Sequence, residues 1–196
     1  MSRLPQITND QATSQQAELF SAVEQKLGRV PNLVRVLGNS TAALRGYLEF
    51  SGALADGGGL SAQQREVVAI AVAEANGCGY CLAAHCTIGK MASLSSEQII
   101  AARQGDVSND TNHALVRFTN AVLQERGRVD DDELGAFRAA GFSDEAVSEV
   151  VAHVALNVFT NFFNNLAETD IDFPAVPPLE NEETAAACST ACDCDA

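Results

Sequence analysis

The chain has 196 residues, of which 46% are hydrophobic and 19% charged, and its 12 basic and 26 acidic residues give a net charge of −14. That length and composition favour one domain with a real core. The excess of acid argues against binding to a nucleic-acid backbone or an anionic membrane, since both need a basic face. With no run of signal-peptide length and no apolar stretch of about 18 residues, we predict a cytoplasmic protein.

Helix-start and helix-stop residues divide almost the whole chain, and no segment reads as a strand, so the predicted fold class is all-α. In chain order, the predicted helices are 14–27, 32–37, Ser40 to about Leu54, 62–75, one starting near Cys78, Ser95 to about Gly105, 112–126, Asp131 to Gly141, and a last long one from Ser143.

The fourth predicted helix is the one most strongly marked as buried. Ser61 and Gln64 form a capping box that opens it, and Asn76-Gly77 ends it. Its apolar residues cover most of the helix circumference, so we expect other parts of the protein to pack around the whole helix. These residues are Val67, Val68, Ile70, Ala71 and Val72.

The pattern changes after Asp170, where an extended arm is predicted up to residue 178. Residues 179–196 are acidic and alanine-rich, with too little apolar mass to fold alone. We therefore divide the chain into a helical domain, 1–178, and a flexible tail, 179–196. The tail carries Cys188, Cys192 and Cys194, which are incidental thiols, a dithiol that passes electrons to Cys78, or a soft-metal clip.

The other three cysteines lie together in the helix that begins near Cys78. Cys78, Cys81 and His85 are spaced i, i+3 and i+7, so they share one helix face and place a base beside a dithiol. Such clustering suits reactive or metal-binding thiols better than a disulfide framework. Cys86 points well round the helix from Cys81, and we interpret it as a packing residue.

Glu66 extends this group. If the helices on either side of Asn76-Gly77 pack antiparallel, Glu66 lies roughly 15 Å from the turn and His85 about 10 Å, so their side chains can meet. A Glu66–His85–Cys81 relay is then sterically reasonable, with the carboxylate orienting the imidazole. The helix dipole favours Cys78 as the nucleophile and the neighbouring base favours Cys81, so both stay open.

The chain also contains an internal echo. Glu66-Val67-Val68-Ala69 recurs as Glu149-Val150-Val151-Ala152, an offset of 83 that aligns Cys78 with Asn161, Cys81 with Asn164 and His85 with Glu168. Chance similarity between two buried helices is one reading. The other is a fold of two similar helical hairpins, of which one is active.

One motif in the chain resembles that of the alkylhydroperoxidase D-like branch of the carboxymuconolactone decarboxylase superfamily. It consists of Glu66, eleven residues, Cys78-x-x-Cys81, three residues and His85. Three other segments are also similar to that family, namely 28–33, Leu60-Ser61 and Asp172-Phe173-Pro174. The resemblance covers roughly residues 15–178. The four-residue pattern is far more specific than a lone Cys-x-x-Cys.

The resemblance implies an all-helical subunit in a homotrimer or homohexamer, acting as a peroxidase without a cofactor. Cys81 is then the thiol that attacks a small-molecule hydroperoxide, Cys78 resolves and exchanges with a dithiol or protein reductant, and His85 with Glu66 forms the proton relay. The best-known members place a histidine directly before the second cysteine, where this chain has Tyr80, a poor base near neutral pH.

Several readings remain beside the peroxidase. The same residues could serve a thiol–disulfide reductase or electron adaptor, a non-catalytic redox sensor, a zinc-binding module, or a buried structural cluster. His113, near a helix start, and His153, within an apolar helix, are interpreted as exposed or hydrogen-bonded histidines rather than ligands.

Overall fold

Nine α-helices make up the regular structure of the residues that the computed structural model describes, which are 2–105, 111–177 and 179. None of these residues lies in a strand, so the predicted all-α class is confirmed. The helices are α1 Ser14–Leu27, α2 Asn32–Leu37, α3 Thr41–Ala55, α4 Ala62–Ala75, α5 Gly79–Met91, α6 Ser96–Gln104, α7 Thr111–Gln124, α8 Asp131–Ala139 and α9 Asp144–Ala167.

The helix starts lie where the capping residues predict them. Ser61 and Gln64 bond each other's backbone N–H groups at 3.2 and 2.9 Å, and Ser95 with Gln98 repeats the arrangement at the start of α6. Two ends come earlier than predicted, since α8 stops at Ala139 and not at Gly141, and α7 stops at Gln124 and not at residue 126. Arg126 and Gly127 have φ of 55° and 80°, which turn the chain out of the helix.

α4 lies at the centre of the molecule, as its sequence predicts, with residues 67–73 all buried. It packs against α5, α6, α7 and α9. One apolar cluster joins α4 to α6–α9 and contains a stack of Phe118, Phe137 and Phe142, with successive ring centroids 4.2 Å apart. A second cluster joins α1–α3 to α5, and the predicted site residues lie where the two clusters meet.

The glycine run between α3 and α4 ends α3 and also lets this loop pack closely against α9. A Cβ atom on Gly59 would lie 2.8 Å from the backbone nitrogen of Ala146, so the loop and α9 approach more closely than any larger residue allows. Glu149 of α9 accepts the backbone N–H groups of Gly59 and Leu60, both at 2.9 Å. These contacts join α9 to the start of α4.

The second copy of the internal echo lies in one continuous helix and does not form a helical hairpin. Residues 149–167 form part of the single helix α9, and the chain does not turn back where the first copy does. The break Asn76-Gly77 corresponds to Phe159-Thr160, which carries no helix-stop signal. The predicted second helical hairpin is therefore absent from the described residues, which corrects that reading of the echo.

α9 is long and apolar enough to cross a membrane by length and composition alone. Half of its most apolar window is buried inside the protein, where it packs against α3, α4, α5 and α7. Burial of that kind is what the central helix of a globular domain shows.

The predicted arm follows α9 as an irregular segment over residues 168–177. Of the predicted tail, residues 180–196, with Cys188, Cys192 and Cys194, lie outside the described residues.

Candidate active site

A tight turn between α4 and α5 sets the height at which their side chains meet. Gly77 has φ of 60°, which glycine adopts without strain, and the backbone N–H of Cys78 donates to the Ala73 carbonyl at 2.9 Å. α5 then returns along α4. Nδ1 of His85 lies 2.8 Å from Oε2 of Glu66, the contact that the spacing predicts.

The Glu66–His85 pair is only partly shielded from solvent, with side-chain exposures of 16% and 24%. Burial by itself lowers the pKa of His85, but the charge and hydrogen bond of Glu66, together with the nearby Cys81 sulfur, raise it above its usual value overall. The imidazole of His85 therefore stays protonated up to a higher pH than the imidazole of a free histidine. Because Nδ1 faces Glu66, Nε2 is the nitrogen free to act elsewhere.

The two thiols occupy different positions in α5. Cys78 is the N-cap residue, and its sulfur accepts the backbone N–H of Cys81 at 3.4 Å, while Cys81 lies inside the first turn. Both are free and buried, with exposures of 1% and 2%. The thiols lie at the N-terminus of the helix, where unpaired N–H groups stabilise a negative sulfur.

The pKa values of the two thiols move in opposite directions. The hydrogen bond from the Cys78 thiol is the main cause that lowers the pKa of Cys81 to about 6 against the effect of burial, and the charge of His85 and the amides of Asn164 and Asn161 contribute to the same shift. The same hydrogen bond, followed by burial, raises the pKa of Cys78. This difference favours Cys81 as the thiolate and Cys78 as the thiol, one of the two assignments that the sequence leaves open.

Two buried amides from α9 complete the surroundings of Cys81. Nδ2 of Asn164 donates to the Cys81 sulfur at 3.2 Å, and Oδ1 of Asn161 accepts from Asn76 at 3.0 Å. Sequence reasoning missed both as site residues. The offset of 83 did align Asn164 with Cys81, but nothing in that alignment says that the two positions touch.

Two cavities adjoin His85. The larger, about 270 Å³, is mostly apolar and is bordered by Cys81, Tyr47 and Phe173, with Lys26 at its edge. The smaller, about 130 Å³, lies on the Glu66 side and is bordered by polar groups; these are Ser51, Arg65, His153 and Asn157. Tyr47 and His85 border both. Burial, followed by the charges of Cys81 and Glu66, raises the pKa of Tyr47 to about 12, so its hydroxyl stays protonated.

His153 differs from its prediction. It is 7% exposed, and its Nε2 has no hydrogen-bond partner among the described residues, so it is neither exposed nor fully bonded. Burial and the charge of Arg65 lower its pKa, so it is neutral near pH 7. A polar cavity of this volume beside an unpaired ring nitrogen has the properties of a water site.

The segment after α9 closes the other side of the site. Asp172 accepts the Tyr80 hydroxyl at 2.8 Å, the Asn32 backbone N–H at 3.1 Å and an Arg29 N–H at 3.0 Å. The Phe173 ring meets Tyr80 edge-on at 5.7 Å and borders the larger cavity. Tyr80, the position where this chain departs from the family pattern, thus holds the arm. Burial, with the Asp172 bond, raises its pKa.

The remaining predicted residues are accounted for as follows. Cys86 is buried in the cluster around α4, as predicted for a packing residue, and burial raises its pKa. Nδ1 of His113 is buried without a partner among the described residues. No group of three His, Cys, Asp or Glu side chains in the described ranges has the geometry of a metal site.

Part of the chain matches a known protein family. Residues 41–124, which contain Glu66, Cys78, Cys81 and His85, match the model of the Carboxymuconolactone decarboxylase family. No curated protein matches the chain significantly.

Among solved structures, the chain is similar to the alkylhydroperoxidase AhpD core of an uncharacterized peroxidase-related protein from Ralstonia eutropha JMP134. The two are 24% identical with a TM-score of 0.79, over 87% of this chain and 92% of the other. A peroxidase-related protein from Silicibacter sp. TM1040 is 18% identical with a TM-score of 0.76, over 86% and 91%.

A third similar structure is the debrominase Bmp8, in a cysteine-to-alanine variant bound to 2,3,4-tribromopyrrole. It is 20% identical with a TM-score of 0.72, over 87% of this chain and 91% of the other. Each of these likenesses concerns the fold. Residues 41–124 thus match the Carboxymuconolactone decarboxylase family, and the chain shares the fold of alkylhydroperoxidase AhpD-like, peroxidase-related proteins.

Proposed function

We propose that this protein is a dithiol peroxidase that reduces organic hydroperoxides, with Cys81 as the attacking thiolate. The observation that carries the proposal is the sulfur of Cys81, which has a pKa lowered to about 6, accepts a bond from Asn164, and borders an apolar cavity of about 270 Å³ together with His85. A thiolate beside a protonated imidazole at the wall of an apolar cavity suits attack on an uncharged peroxide.

The first step is attack of the Cys81 thiolate on the outer oxygen of the peroxide. The O–O bond breaks, the sulfur takes up the hydroxyl as sulfenic acid, and the alkoxide leaves with a proton from His85. Glu66 holds the imidazole in place through its 2.8 Å contact and stabilises its positive charge. It acts through His85 and does not touch the substrate.

The second step is attack of the Cys78 sulfur on the Cys81 sulfur. The new S–S bond displaces the hydroxyl, which leaves as water with the proton of the Cys78 thiol. In total one hydroperoxide and two thiols give one alcohol, one water and one disulfide. A dithiol or protein reductant then restores the pair by exchange, with Cys81 as the better leaving group because of its lower pKa.

The experiment that tests the proposal is rapid-mixing measurement of thiol loss with cumene hydroperoxide. We expect fast loss of two thiols per chain in the wild type and none above the rate of a free thiol in Cys81→Ser. Cys78→Ser should stop at sulfenic acid, which a dimedone-type reagent traps. Cys86→Ala is the matched control, since Cys86 lies on the other face of α5, and it should react like the wild type.

Slow oxidation of the wild type would contradict the peroxidase and favour the thiol–disulfide reductase. In that case, exchange of the reduced protein with a small disulfide should still be fast: the Cys81 thiolate attacks and displaces one small thiolate, and Cys78 then attacks the Cys81 sulfur and displaces the other. Exchange without turnover by a dithiol donor would instead identify a redox sensor.

A second candidate activity is reductive removal of halogen from an aromatic ring. Tyr47, Tyr80 and Phe173 give the larger cavity aromatic walls that suit a flat ring, and the similar fold of a debrominase bound to a brominated pyrrole is consistent with this. The two thiols would supply the two electrons that replace a carbon–halogen bond by carbon–hydrogen. Release of bromide from a bromopyrrole, dependent on Cys81, would distinguish this activity.

We further propose that the protein works as a homotrimer or homohexamer in the cytoplasm, where reductants keep such thiol pairs reduced. One stripe of α9 leaves apolar side chains exposed at helical spacing, which supports contact with another copy; they are Val151, Phe159, Phe162 and Leu166. Light scattering should show dissociation in Phe162→Glu, and a wild type that is monomeric would contradict the assembly.

A further inference from the structure

One stripe of α3 faces the space around His85. Tyr47, Ser51 and Ala55 are spaced i, i+4 and i+8, and all three border both the larger cavity and the smaller one. Of these three residues, Tyr47 has the long side chain, and that side chain ends in a hydroxyl that can donate a proton to a hydrogen bond. Tyr47 and His85 therefore both belong to the wall that the two cavities share.

The hydroxyl of Tyr47 makes no hydrogen bond to another described residue. Its ring packs against the cluster that joins α1–α3 to α5, and burial is the first cause of its raised pKa. The other two causes are the charge of Cys81, at the wall of the larger cavity, and that of Glu66, at the wall of the smaller. Because screening limits the distance over which such charges act, the hydroxyl lies close to both groups. A hydroxyl removed from solvent, with no partner in the protein, is suited to bond a ligand.

Tyr80 provides the contrast, since its hydroxyl already has partners. It is the second of the two tyrosines in the chain, and it also borders the larger cavity. Its hydroxyl donates to Asp172 at 2.8 Å and accepts the backbone N–H of Leu33 at 3.1 Å. The single O–H of Tyr80 is therefore in use, whereas that of Tyr47 is available.

The proposed attack creates negative charge inside the larger cavity. As the O–O bond breaks, charge develops on the inner oxygen of the hydroperoxide, the one that leaves with the alkyl group. Most of the cavity wall is apolar and offers that oxygen no hydrogen bond. A fixed donor close to Cys81 and His85 therefore stabilises the transition state more than the bound peroxide. The Tyr47 hydroxyl has this position.

We propose that Tyr47 is a further catalytic residue, whose hydroxyl donates a hydrogen bond to the oxygen that leaves when the Cys81 thiolate attacks a hydroperoxide. The inference rests on the proposed function in that Cys81 must be the attacking sulfur. It adds a residue from α3 to the group on α4 and α5, one that the spacing of that group does not indicate. In a thiol–disulfide reductase the same hydroxyl bonds the leaving sulfur.

The step stays balanced when Tyr47 is included. A bond forms between the Cys81 sulfur and the outer oxygen, the O–O bond breaks, and its electron pair remains on the inner oxygen. His85, the stronger acid, gives that oxygen a proton and becomes neutral, while Tyr47 keeps its own proton because its pKa is about 12. One alcohol and one sulfenic acid result, and no further reactant is needed.

The test compares two oxidants that carry the same phenyl group but different leaving groups. Cumene hydroperoxide releases an alkoxide, whereas perbenzoic acid releases benzoate, a carboxylate that needs no proton near neutral pH. In Tyr47→Phe we expect the rate of thiol loss with cumene hydroperoxide to fall by about 10²-fold, as for loss of one fixed donor. With perbenzoic acid the rate should fall by less than about threefold, because this leaving group is stable without a donor. Rapid mixing of the full chain measures both rates.

Two controls separate this role from a structural one. Tyr80→Phe makes the same chemical change at the tyrosine whose hydroxyl is already bonded, so any change in rate should be equal for the two oxidants. In Tyr47→Phe the titration of Cys81, followed by absorbance at 240 nm, should match the wild type, because the groups that lower the Cys81 pKa lie at the start of α5, within it and on α9. The circular dichroism should also be unchanged, since the substitution breaks no hydrogen bond within the protein.

Equal losses of rate with the two oxidants in Tyr47→Phe, or no loss with either, overturn the inference and leave the peroxidase intact. If the wild type reacts with cumene hydroperoxide no faster than a free thiol, the proposed peroxidase fails, and two disulfides replace the oxidants. Hydroxyethyl disulfide releases a basic alkyl thiolate, and a nitroaryl disulfide releases a weakly basic one. Tyr47→Phe should then slow exchange with the alkyl disulfide several-fold more than exchange with the nitroaryl disulfide. Equal effects on the two disulfides overturn the inference.

Discussion

The helices that carry Glu66 and Glu149 share the four residues Glu-Val-Val-Ala but use their carboxylates differently. Glu66 bonds the imidazole of His85 at 2.8 Å, next to a thiol and between two cavities. Glu149 bonds two backbone N–H groups at 2.9 Å, those of Gly59 and Leu60. A histidine gains and loses protons near neutral pH, whereas a peptide N–H does not.

The partner of the buried carboxylate, and not the carboxylate itself, therefore decides whether it serves chemistry or structure. The same holds fifteen residues further on in each copy, where Cys81 in the first corresponds to Asn164 in the second and the two touch at 3.2 Å. The thiol can ionise and the amide can only donate to it. Substitutions on the two sides should therefore affect different quantities.

Removing the nucleophile should have the largest effect. In Cys81→Ser the rate of peroxide consumption should fall by more than about 10³-fold, since a hydroxyl cannot replace the thiolate. The far-ultraviolet circular dichroism should be unchanged, because the two side chains have nearly the same shape. Substantial peroxide consumption by this variant would move the reaction to another thiol.

Removing the relay carboxylate should have the next largest effect. Glu66→Gln keeps a group that can bond Nδ1 of His85 but removes the charge that raises the pKa of His85. We expect the oxidation rate to fall by about 10²-fold, within the range for loss of acid–base assistance. The alkaline limb of the pH–rate profile should move to lower pH, a shift that a purely structural role would not produce.

The rate should depend on pH in a bell shape set by the site. It should rise about tenfold per pH unit below the Cys81 pKa of about 6, as the thiolate forms. It should fall again above the raised pKa of His85, as the imidazolium that protonates the alkoxide is lost. A rate that instead rises up to pH 8.5, as for an ordinary thiol, would show that Cys81 is not activated.

Removing the Asn164 hydrogen-bond donor, in the second copy of the echo, should have a smaller effect on the oxidation rate. Asn164→Leu removes the N–H that stabilises the Cys81 thiolate, and the charged form is then disfavoured, so the pKa of Cys81 should rise by about one unit, or roughly 1.4 kcal/mol. Absorbance at 240 nm measures thiolate directly. Asn165→Ala is the control, because the exposed Asn165 bonds the Asn76 carbonyl and not the sulfur; its titration should match the wild type.

The structural carboxylate should affect the oxidation rate least and stability most. Glu149→Gln weakens the bonds to the backbone N–H groups of Gly59 and Leu60, and we expect unfolding free energy to fall by about 1–3 kcal/mol. Denaturant unfolding measures this, while the oxidation rate of the folded protein should change by less than about twofold. A large rate loss without destabilisation would place Glu149 in the chemistry and break the comparison.

Local signals predicted most of the helices and half of the site. Capping boxes such as Ser61 with Gln64, the break at Asn76-Gly77 and the even apolar coverage of α4 are properties of short segments, so the sequence displays them directly. Glu66 and His85 belong with these, because one tight turn joins their helices and fixes their relative height. Their contact follows from residues only nineteen apart.

What the sequence determined by itself is therefore the set of helices, their class and the group on the α4–α5 hairpin. Tertiary structure decided the rest: that Asn164 stabilises the Cys81 thiolate, that Asp172 holds Tyr80, and that α9 runs straight where an echo predicted a turn. The two hydrogen bonds join residues 83 and 92 positions apart, and they depend on which distant segments meet. Repeating apolar patterns show that a helix face is buried but not what it is buried against, because many partners bury the same apolar area equally well.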